Sequence, residues 1–166
     1  KFGLEPIILE SKNYNAARKQ GNQSPFDATA PVICSYPFAR AKADDIKRIA
    51  WDLVVLDEAH RLRNVYKPSN VIARTLRDAL EGVQSKVLLT ATPLQNSLLE
   101  LYGLVSFIDE RVFGNLDSFR SQFGQIGRPQ SFDALRSRLA PMCKRTLRRD
   151  VQQFVSYTQR RAIVQE

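Results

Sequence analysis

Residues that usually bind transition metals or form disulfides are scarce in this chain. Its 166 residues include two cysteines, Cys34 and Cys143, and one histidine, His60. They contain no CxxC pair and no histidine at metal-ligand spacing from a cysteine, so neither a zinc site nor a disulfide framework is supported. No apolar run approaches the length of about 20 residues that spans a bilayer, and the N-terminus lacks a signal-peptide pattern. We therefore expect a protein without a membrane segment, in a reducing cytosolic setting.

Acidic residues are fewer than basic ones, and most of this deficit lies in the C-terminal part of the chain. The sequence has 25 Lys and Arg against 17 Asp and Glu, a formal net charge of +8. Residues 120–166 hold ten of the bases and three of the acids. This excess indicates either a polyanionic partner or a solubilising surface.

The pattern of apolar residues predicts an α/β fold. Hydrophobic residues make up 43% of the chain and charged residues 25%, which is ordinary for a globular protein. Near-continuous apolar runs are typical of strands covered on both faces of a parallel sheet. Such runs occur at 6–9, 32–35, 53–56 and 87–90. Between the last two, apolar residues recur at helical spacing, at Ile72, Leu76, Ala79 and Leu80.

The character of the sequence changes after residue 93. Leu98, Leu101, Leu104, Val105 and Ile108 predict one helix with a wide apolar stripe. The following stretch, with its glycines and phenylalanines, indicates loops around short helices. We predict an α/β body over residues 1–113 and a helical, basic appendage over 114–166. The polar segment 20–31 is expected to be an exposed loop.

An acidic pair, Asp57 and Glu58, directly follows the third apolar run. In open α/β sheets, ligand chemistry lies at the carboxyl ends of strands. An aspartate there can hold Mg²⁺, which neutralises phosphate oxygens, and the next carboxylate can orient and deprotonate an attacking water. The simpler alternative is that strand ends are solvated and often carry acids.

The surrounding residues form motifs that favour the first interpretation. Asp57 begins the tetrad DEAH, the next predicted strand leads into TATP, and residues 88–109 read LLTATPLQNSLLELYGLVSFID. This text resembles the Swi/Snf-type helicase-like ATPases of superfamily 2, with their TP-LQN-x3-EL-x2-L-x2-F pattern. The segments ICSY at 33–36 and HRLRN at 60–64 match as well. The sequence of these motifs is most similar to that of bacterial members of the family.

The resemblance implies a partial RecA-like first lobe, with ATP and Mg²⁺ as cofactors. It implies that Asp57 holds the metal and that Glu58 is the catalytic base. His60 would link the nucleotide site to the hydroxyl groups of the next motif. That motif would couple hydrolysis to movement along double-stranded DNA, through Thr90, Ala91, Thr92, Pro93 and Gln95.

Two further segments are candidates for nucleic-acid binding. Ser35 and Tyr36 match a family position near the DNA backbone, although a strand-end role fits them equally well. A basic tract at 135–151 stands where the family has an LRRTK-x-DV element, with one extra residue and Leu147 in place of a lysine. Its candidate phosphate contacts are Lys144, Arg145, Arg148 and Arg149. The alternative for these bases is a solvated helix face.

Part of the expected ATPase site is not in this sequence. None of the seven glycines begins a GxxxxGK[ST] loop, which we expect upstream of Lys1. A second RecA-like lobe in cis, expected beyond Glu166, would supply an arginine to the transition state. We therefore expect the 166-residue chain alone not to hydrolyse ATP.

Two rival interpretations stay open at this stage. One is a non-catalytic module that binds nucleic acid or protein, and the other is a different superfamily 2 motor, such as one from a restriction system, which Gln95 and Asn96 disfavour. For the leading interpretation, the remodelled target is RNA polymerase or another DNA-bound protein. The location would be the cytoplasm, in association with the nucleoid.

Overall fold

The structure, a computed structural model, describes residues 3–92, 97–124 and 129–144, with the side chains of 129–132 excepted. The chain forms two units, Lys1–Gln125 and Ile126–Glu166. The boundary predicted from sequence lay at 113/114 and stays a prediction.

Four short strands form at the four predicted places. They pair as two parallel ladders, the first strand with the second and the third with the fourth. Backbone hydrogen bonds extend both ladders by a residue, from Leu9 N–H to the Ile33 carbonyl at 2.8 Å and from Leu89 N–H to the Leu56 carbonyl at 2.9 Å. The predicted α/β class with parallel strands is confirmed. The strands are β1 (Ile7–Ile8), β2 (Val32–Ile33), β3 (Val54–Leu56) and β4 (Lys86–Leu88).

Helices separate the strands and follow the last one. The two helices predicted from periodicity form, and a helix also lies in the stretch after residue 114, as expected. Three others near the N-terminus were not predicted, because each buries only one or two side chains and so leaves a weak apolar pattern. The helices are α1 (Ser11–Lys19), α2 (Tyr36–Ala41), α3 (Ala43–Lys47), α4 (Val71–Ala79), α5 (Leu98–Ile108), α6 (Leu116–Phe123) and α7 (Pro129–Leu139).

Side-chain oxygens fix where several helices begin. Ser35 Oγ accepts from the Phe38 N–H at the start of α2, and Asn70 Oδ1 accepts from the Ala73 N–H at the start of α4. Asn115 does the same for α6. Each such bond satisfies one of the N–H groups that have no partner within the first helical turn.

The ladder of β3 and β4 is covered on one face and open on the other in the described part of the chain. Leu56 is buried in the core, and Val54 and Leu88 pack against it. Val55 and Val87 are opposite each other in the ladder and are 51% and 41% exposed. The expectation of cover on both faces is therefore met on one face only, because Val55 and Val87 stay exposed.

An aromatic cluster corrects the prediction for segment 20–31. Most of this loop is exposed, but Phe26 is 2% exposed. Its ring lies about 6 Å from the rings of Tyr14, Phe38 and Trp51. The apolar ring therefore anchors a polar loop to the core.

A second aromatic cluster holds α6 in the first unit. Phe119 and Phe123 of α6 pack against Phe113, with centroid distances of 4.9 and 5.9 Å. Tyr102 of α5 lies 5.1 Å from Phe119. Burial of these rings fixes α6 relative to α5.

The second unit contributes α7, in which Leu135 is buried. Within the described ranges, no helix combines the length and apolar character that crossing a membrane requires.

Candidate nucleotide site

The acidic pair lies at the carboxyl end of β3, as predicted. Asp57 and Glu58 form a turn between the strand and a 3₁₀ helix at Ala59–Leu62, and both are exposed. Asp57 Oδ1 accepts a hydrogen bond from the Glu58 N–H at 2.9 Å. This bond holds the Asp57 carboxylate at the strand end and leaves its Oδ2 without a protein partner among the described residues.

Glu58 has a left-handed backbone conformation, with φ 51° and ψ 42°. It is the only non-glycine residue with positive φ in the described part of the chain. This conformation costs roughly 1–2 kcal/mol for a residue with a Cβ atom, and such residues concentrate at functional sites. The Glu58 side chain is 62% exposed. The fold therefore holds Glu58 in a strained backbone conformation in which its carboxylate is exposed.

Backbone hydrogen bonds to β4 hold the turn in place. The Leu89 N–H donates to the Leu56 carbonyl at 2.9 Å, and the Ala59 N–H donates to the Leu89 carbonyl at 2.9 Å. Both sides of the acidic pair are thus bound to the segment that leads into the TATP motif. A shift of that segment would be transmitted to Glu58.

His60 lies beside Glu58. Its Nδ1 is 3.1 Å from Oε2 of Glu58, close enough for an ion pair when the imidazole is protonated. Nδ1 is shielded from solvent and makes no hydrogen bond within the described residues. Because no bond to Thr90 or Thr92 is found there either, the predicted link from His60 to the threonine hydroxyls stays a prediction.

The coupling motif is described in part. Thr90 Oγ1 accepts from the Thr92 N–H at 3.2 Å, which forms a tight turn after β4, and Ala91 is exposed within it. Pro93 and Gln95 lie outside the described residues.

Ser35 and Tyr36 lie at the carboxyl end of β2. Ser35 caps α2, and the Tyr36 hydroxyl donates to the backbone carbonyl of Asp57 at 2.6 Å. Burial, and next the negative charge of Asp57, raise the pKa of Tyr36 to about 12. The structure therefore gives both side chains partners within the protein, and their contact with DNA stays a prediction.

The basic tract belongs to the second unit. Lys144 is exposed, and Arg145, Arg148 and Arg149 lie outside the described residues.

An ion pair beside the acidic turn was not predicted. Arg63 Nε lies 3.4 Å from Oε1 of Glu100, and their side chains are 17% and 6% exposed. Gly103 lets α5 approach this loop, because a Cβ atom at 103 would lie 1.8 Å from the Arg63 carbonyl oxygen. The sequence feature that could have predicted this pair is the single glutamate in the otherwise apolar helix LLELYGLVSFI. A buried acid needs a cation nearby.

The turn has donors that suit Mg²⁺. The described residues contain no group of three or more His, Cys, Asp or Glu side chains that could hold a metal by themselves. Mg²⁺ typically takes one or two carboxylates and completes its shell with water and phosphate oxygens. Asp57, with its unpartnered Oδ2, fits this role when a nucleotide brings the phosphates.

The sequence matches a known protein family. A family model described as SNF2-related domain matches residues 4–162. Chromodomain-helicase-DNA-binding protein 6 of Rattus norvegicus is 37% identical over 121 residues, which is 73% of this chain and 4% of that protein. The CHD3-type chromatin-remodeling factor PICKLE of Arabidopsis thaliana is 33% identical over 120 residues, 72% of this chain and 8% of that protein. The chain thus spans less than a tenth of these relatives.

A solved structure shares the fold. The Sulfolobus solfataricus SWI2/SNF2 ATPase core in complex with dsDNA superimposes with a TM-score of 0.55 and 18% sequence identity. The match covers 82% of this chain and 32% of that one. This similarity supports the predicted RecA-like α/β architecture.

Proposed function

The chain belongs to the SNF2-related domain family, and from that premise we propose that it is part of the first lobe of an ATP-driven motor. The motor would couple hydrolysis to movement along double-stranded DNA and so remodel protein–DNA complexes. The observation that carries this proposal is the exposed Asp57–Glu58 turn at the end of β3, held in a strained conformation against the segment that leads into TATP.

Asp57 and Glu58 would divide the chemistry between them. Asp57, with Oδ1 bound to the Glu58 N–H, presents Oδ2 to the metal. Mg²⁺, when bound with the nucleotide, would neutralise phosphate charge. Glu58 would orient the attacking water and accept its proton, for which an exposed and pre-oriented carboxylate is suited. His60 beside it would keep the Glu58 carboxylate on the nucleotide side of the turn.

The rest of the catalytic charge would come from outside these 166 residues. A phosphate-binding loop and a second RecA-like lobe with its arginine would complete the cleft. Because charge stabilisation dominates phosphoryl transfer, the 166-residue chain alone should show no measurable turnover. Steady ATP hydrolysis by this chain that Glu58→Gln abolishes would contradict this part of the proposal.

Double-stranded DNA is the proposed track. The name of the rat relative includes DNA binding, and the matching solved structure holds dsDNA. The net charge of +8 and the basic tract that includes Lys144, Arg145, Arg148 and Arg149 suit a polyanion. Ser35 and Tyr36 would lie near the backbone, at the carboxyl end of β2.

The branch and the target are finer proposals. The relatives reported above come from a mammal and a plant, so membership of a bacterial branch rests on the sequences DEAHRLRN and ATPLQNSLLELYGLVSFID. A nucleoid-associated location in the cytoplasm, and RNA polymerase or another DNA-bound protein as the target, depend on that branch.

A DNA-stimulated ATPase assay on the full-length protein tests the proposal. We expect Mg²⁺-dependent hydrolysis that linear duplex DNA accelerates, and displacement of a triplex-forming strand ahead of the motor. Glu58→Gln should abolish both. Turnover that duplex DNA does not change, or hydrolysis without strand displacement, would contradict a translocase and favour a binding module or another motor class.

The basic tract has its own test. The triple variant Arg145→Ala, Arg148→Ala, Arg149→Ala should weaken DNA binding for all sequences and flatten its dependence on salt. A salt slope equal to that of the unaltered protein would remove these residues from the interface.

A further inference from the structure

Tyr36 connects two separate strand ladders. It follows β2, which pairs with β1, whereas the acidic turn follows β3, which pairs with β4. The Tyr36 hydroxyl reaches the Asp57 carbonyl oxygen at 2.6 Å, across 21 positions in sequence. The half-buried ring and the Ser35 cap of α2 fix the position from which this hydroxyl donates.

The accepting group is the peptide that joins the two catalytic candidates. The carbonyl of Asp57 and the N–H of Glu58 belong to one rigid plane. Its orientation is set on one side by the bond from Tyr36 and on the other by the bond from Glu58 N–H to Asp57 Oδ1. A rotation of this plane would change φ of Glu58, which is held at 51°. The Glu58 carboxylate would then point elsewhere.

A second contact ties Tyr36 to the far side of the turn. The guanidinium carbon of Arg61 lies 5.9 Å from the centroid of the Tyr36 ring, within the range of a cation–π interaction. Arg61 belongs to the 3₁₀ helix that follows Glu58. One side chain thus contacts residues on both sides of Glu58.

We propose that Tyr36 is a positioning residue for hydrolysis: its hydroxyl holds the Asp57–Glu58 peptide so that the Glu58 carboxylate aligns the attacking water. The inference rests on the proposed ATPase function and adds a residue that acts through the protein. A phenol has one proton to donate. While Tyr36 donates it to Asp57, it cannot also donate it to a DNA phosphate.

The test compares Tyr36→Phe with Tyr102→Phe in the full-length protein. Tyr102 is a matched control, because its hydroxyl also donates to a backbone carbonyl, that of Gly114 at 3.3 Å, away from the turn. In the DNA-stimulated assay, Tyr36→Phe should lower kcat about 10- to 100-fold, the usual effect of losing a hydrogen-bond partner of a metal-binding residue, here Asp57. KM for ATP and the DNA concentration for half-maximal activity should change less than about twofold, because in the proposed role the hydroxyl donates to the Asp57 carbonyl and to neither ligand. Tyr102→Phe should change none of the three.

Two results would overturn the proposal. One is a kcat for Tyr36→Phe within twofold of the unaltered protein. The other is a loss of rate that excess duplex DNA restores, which would indicate a phosphate contact instead.

Hydrogen exchange separates this inference from the proposed function. In Tyr36→Phe, amides of segment 54–62 should exchange faster, including the Ala59 N–H that donates to Leu89, while Tyr102→Phe leaves them unchanged. Unchanged exchange in Tyr36→Phe would refute the anchoring role, whatever the activity. If Tyr36→Phe exchanges faster but the unaltered protein shows no DNA-stimulated turnover, the proposed function is refuted, and with it the role of Tyr36 in hydrolysis.

Discussion

Replacement of Gly103 by alanine tests whether close packing of α5 on the loop after the acidic turn supports the fold. A Cβ atom at 103 would lie 1.8 Å from the carbonyl oxygen and 2.8 Å from the carbonyl carbon of Arg63. Both are backbone atoms, so either the helix or the loop must move. The same movement would separate the buried pair of Arg63 and Glu100.

One stabilising and two destabilising terms set the size of this effect. Alanine favours a helix interior over glycine by about 1 kcal/mol. Overpacking costs about 1–3 kcal/mol, and breaking a buried ion pair costs about 3–5 kcal/mol when one partner is left alone. The cost of partly separating Arg63 from Glu100 lies between these two ranges. We therefore expect Gly103→Ala to lower the free energy of unfolding by about 2 kcal/mol or more. For a chain of 166 residues this lowers Tm by roughly 4–8 °C.

Denaturant unfolding of Gly103→Ala beside Gly82→Ala measures the effect. A Cβ atom at 82 would meet no atom within 4 Å, and Gly82 lies outside the left-handed region. Gly82→Ala should therefore be neutral or stabilising, by about 0.4–1 kcal/mol. If Gly103→Ala unfolds at the same midpoint as Gly82→Ala, the close approach of α5 to Arg63 is wrong.

Three further substitutions test separate parts of the structure. Glu100→Leu should cost about 3 kcal/mol of unfolding free energy because it removes the buried partner of the half-buried Arg63. Glu110→Ala, which removes the more exposed pair with Arg77, should cost less than about 1 kcal/mol, and equal costs would contradict the burial of Glu100. Asn70→Ala should cost about 1 kcal/mol through loss of the α4 cap, and an unchanged denaturation midpoint would argue against that cap. The pKa of Tyr36 in the folded protein, about 12, lies above the ordinary value of 10. Protonated Tyr36 therefore stabilises the folded state fully below pH 10, and this stabilisation is lost as pH rises toward 12. Tyr36→Phe should lose about 1 kcal/mol less than the unaltered protein over this interval, after allowance for solvent screening, and parallel urea-midpoint curves would contradict the assignment.

Elements with strong apolar patterns could be predicted from the sequence. The strand after residue 53 and the helix over 98–108 formed where expected. In each, the apolar pattern includes residues that the fold buries, Leu56 in the strand and Leu104 and Val105 in the helix. Helix α1 gave no such signal, since Tyr14 is its only buried residue. Its position depends on the distant partners Phe26 and Asp45, and spacing within the helix does not encode them.

In the candidate site too, local motifs could be predicted and contacts between distant residues could not. The DEAH and TATP strings identified Asp57 and Glu58 as candidates because short motifs carry local chemistry. The contacts that orient them come from residues distant in sequence, such as the Tyr36 hydroxyl and the Leu89 backbone. Nor did sequence predict the strained φ of Glu58, since glutamate has no preference for that region. Geometry of this kind depends on the assembled fold.

In the proposed mechanism, Glu58 aligns and deprotonates the water that attacks ATP. The most direct measurement is the single-turnover rate of ATP hydrolysis by full-length Glu58→Gln, at saturating Mg²⁺ and duplex DNA. We expect ATP to bind with nearly unchanged affinity and the chemical step to slow by about 10²–10⁴-fold, the usual contribution of a general base. A single-turnover rate close to that of the unaltered protein would rule out Glu58 as the general base.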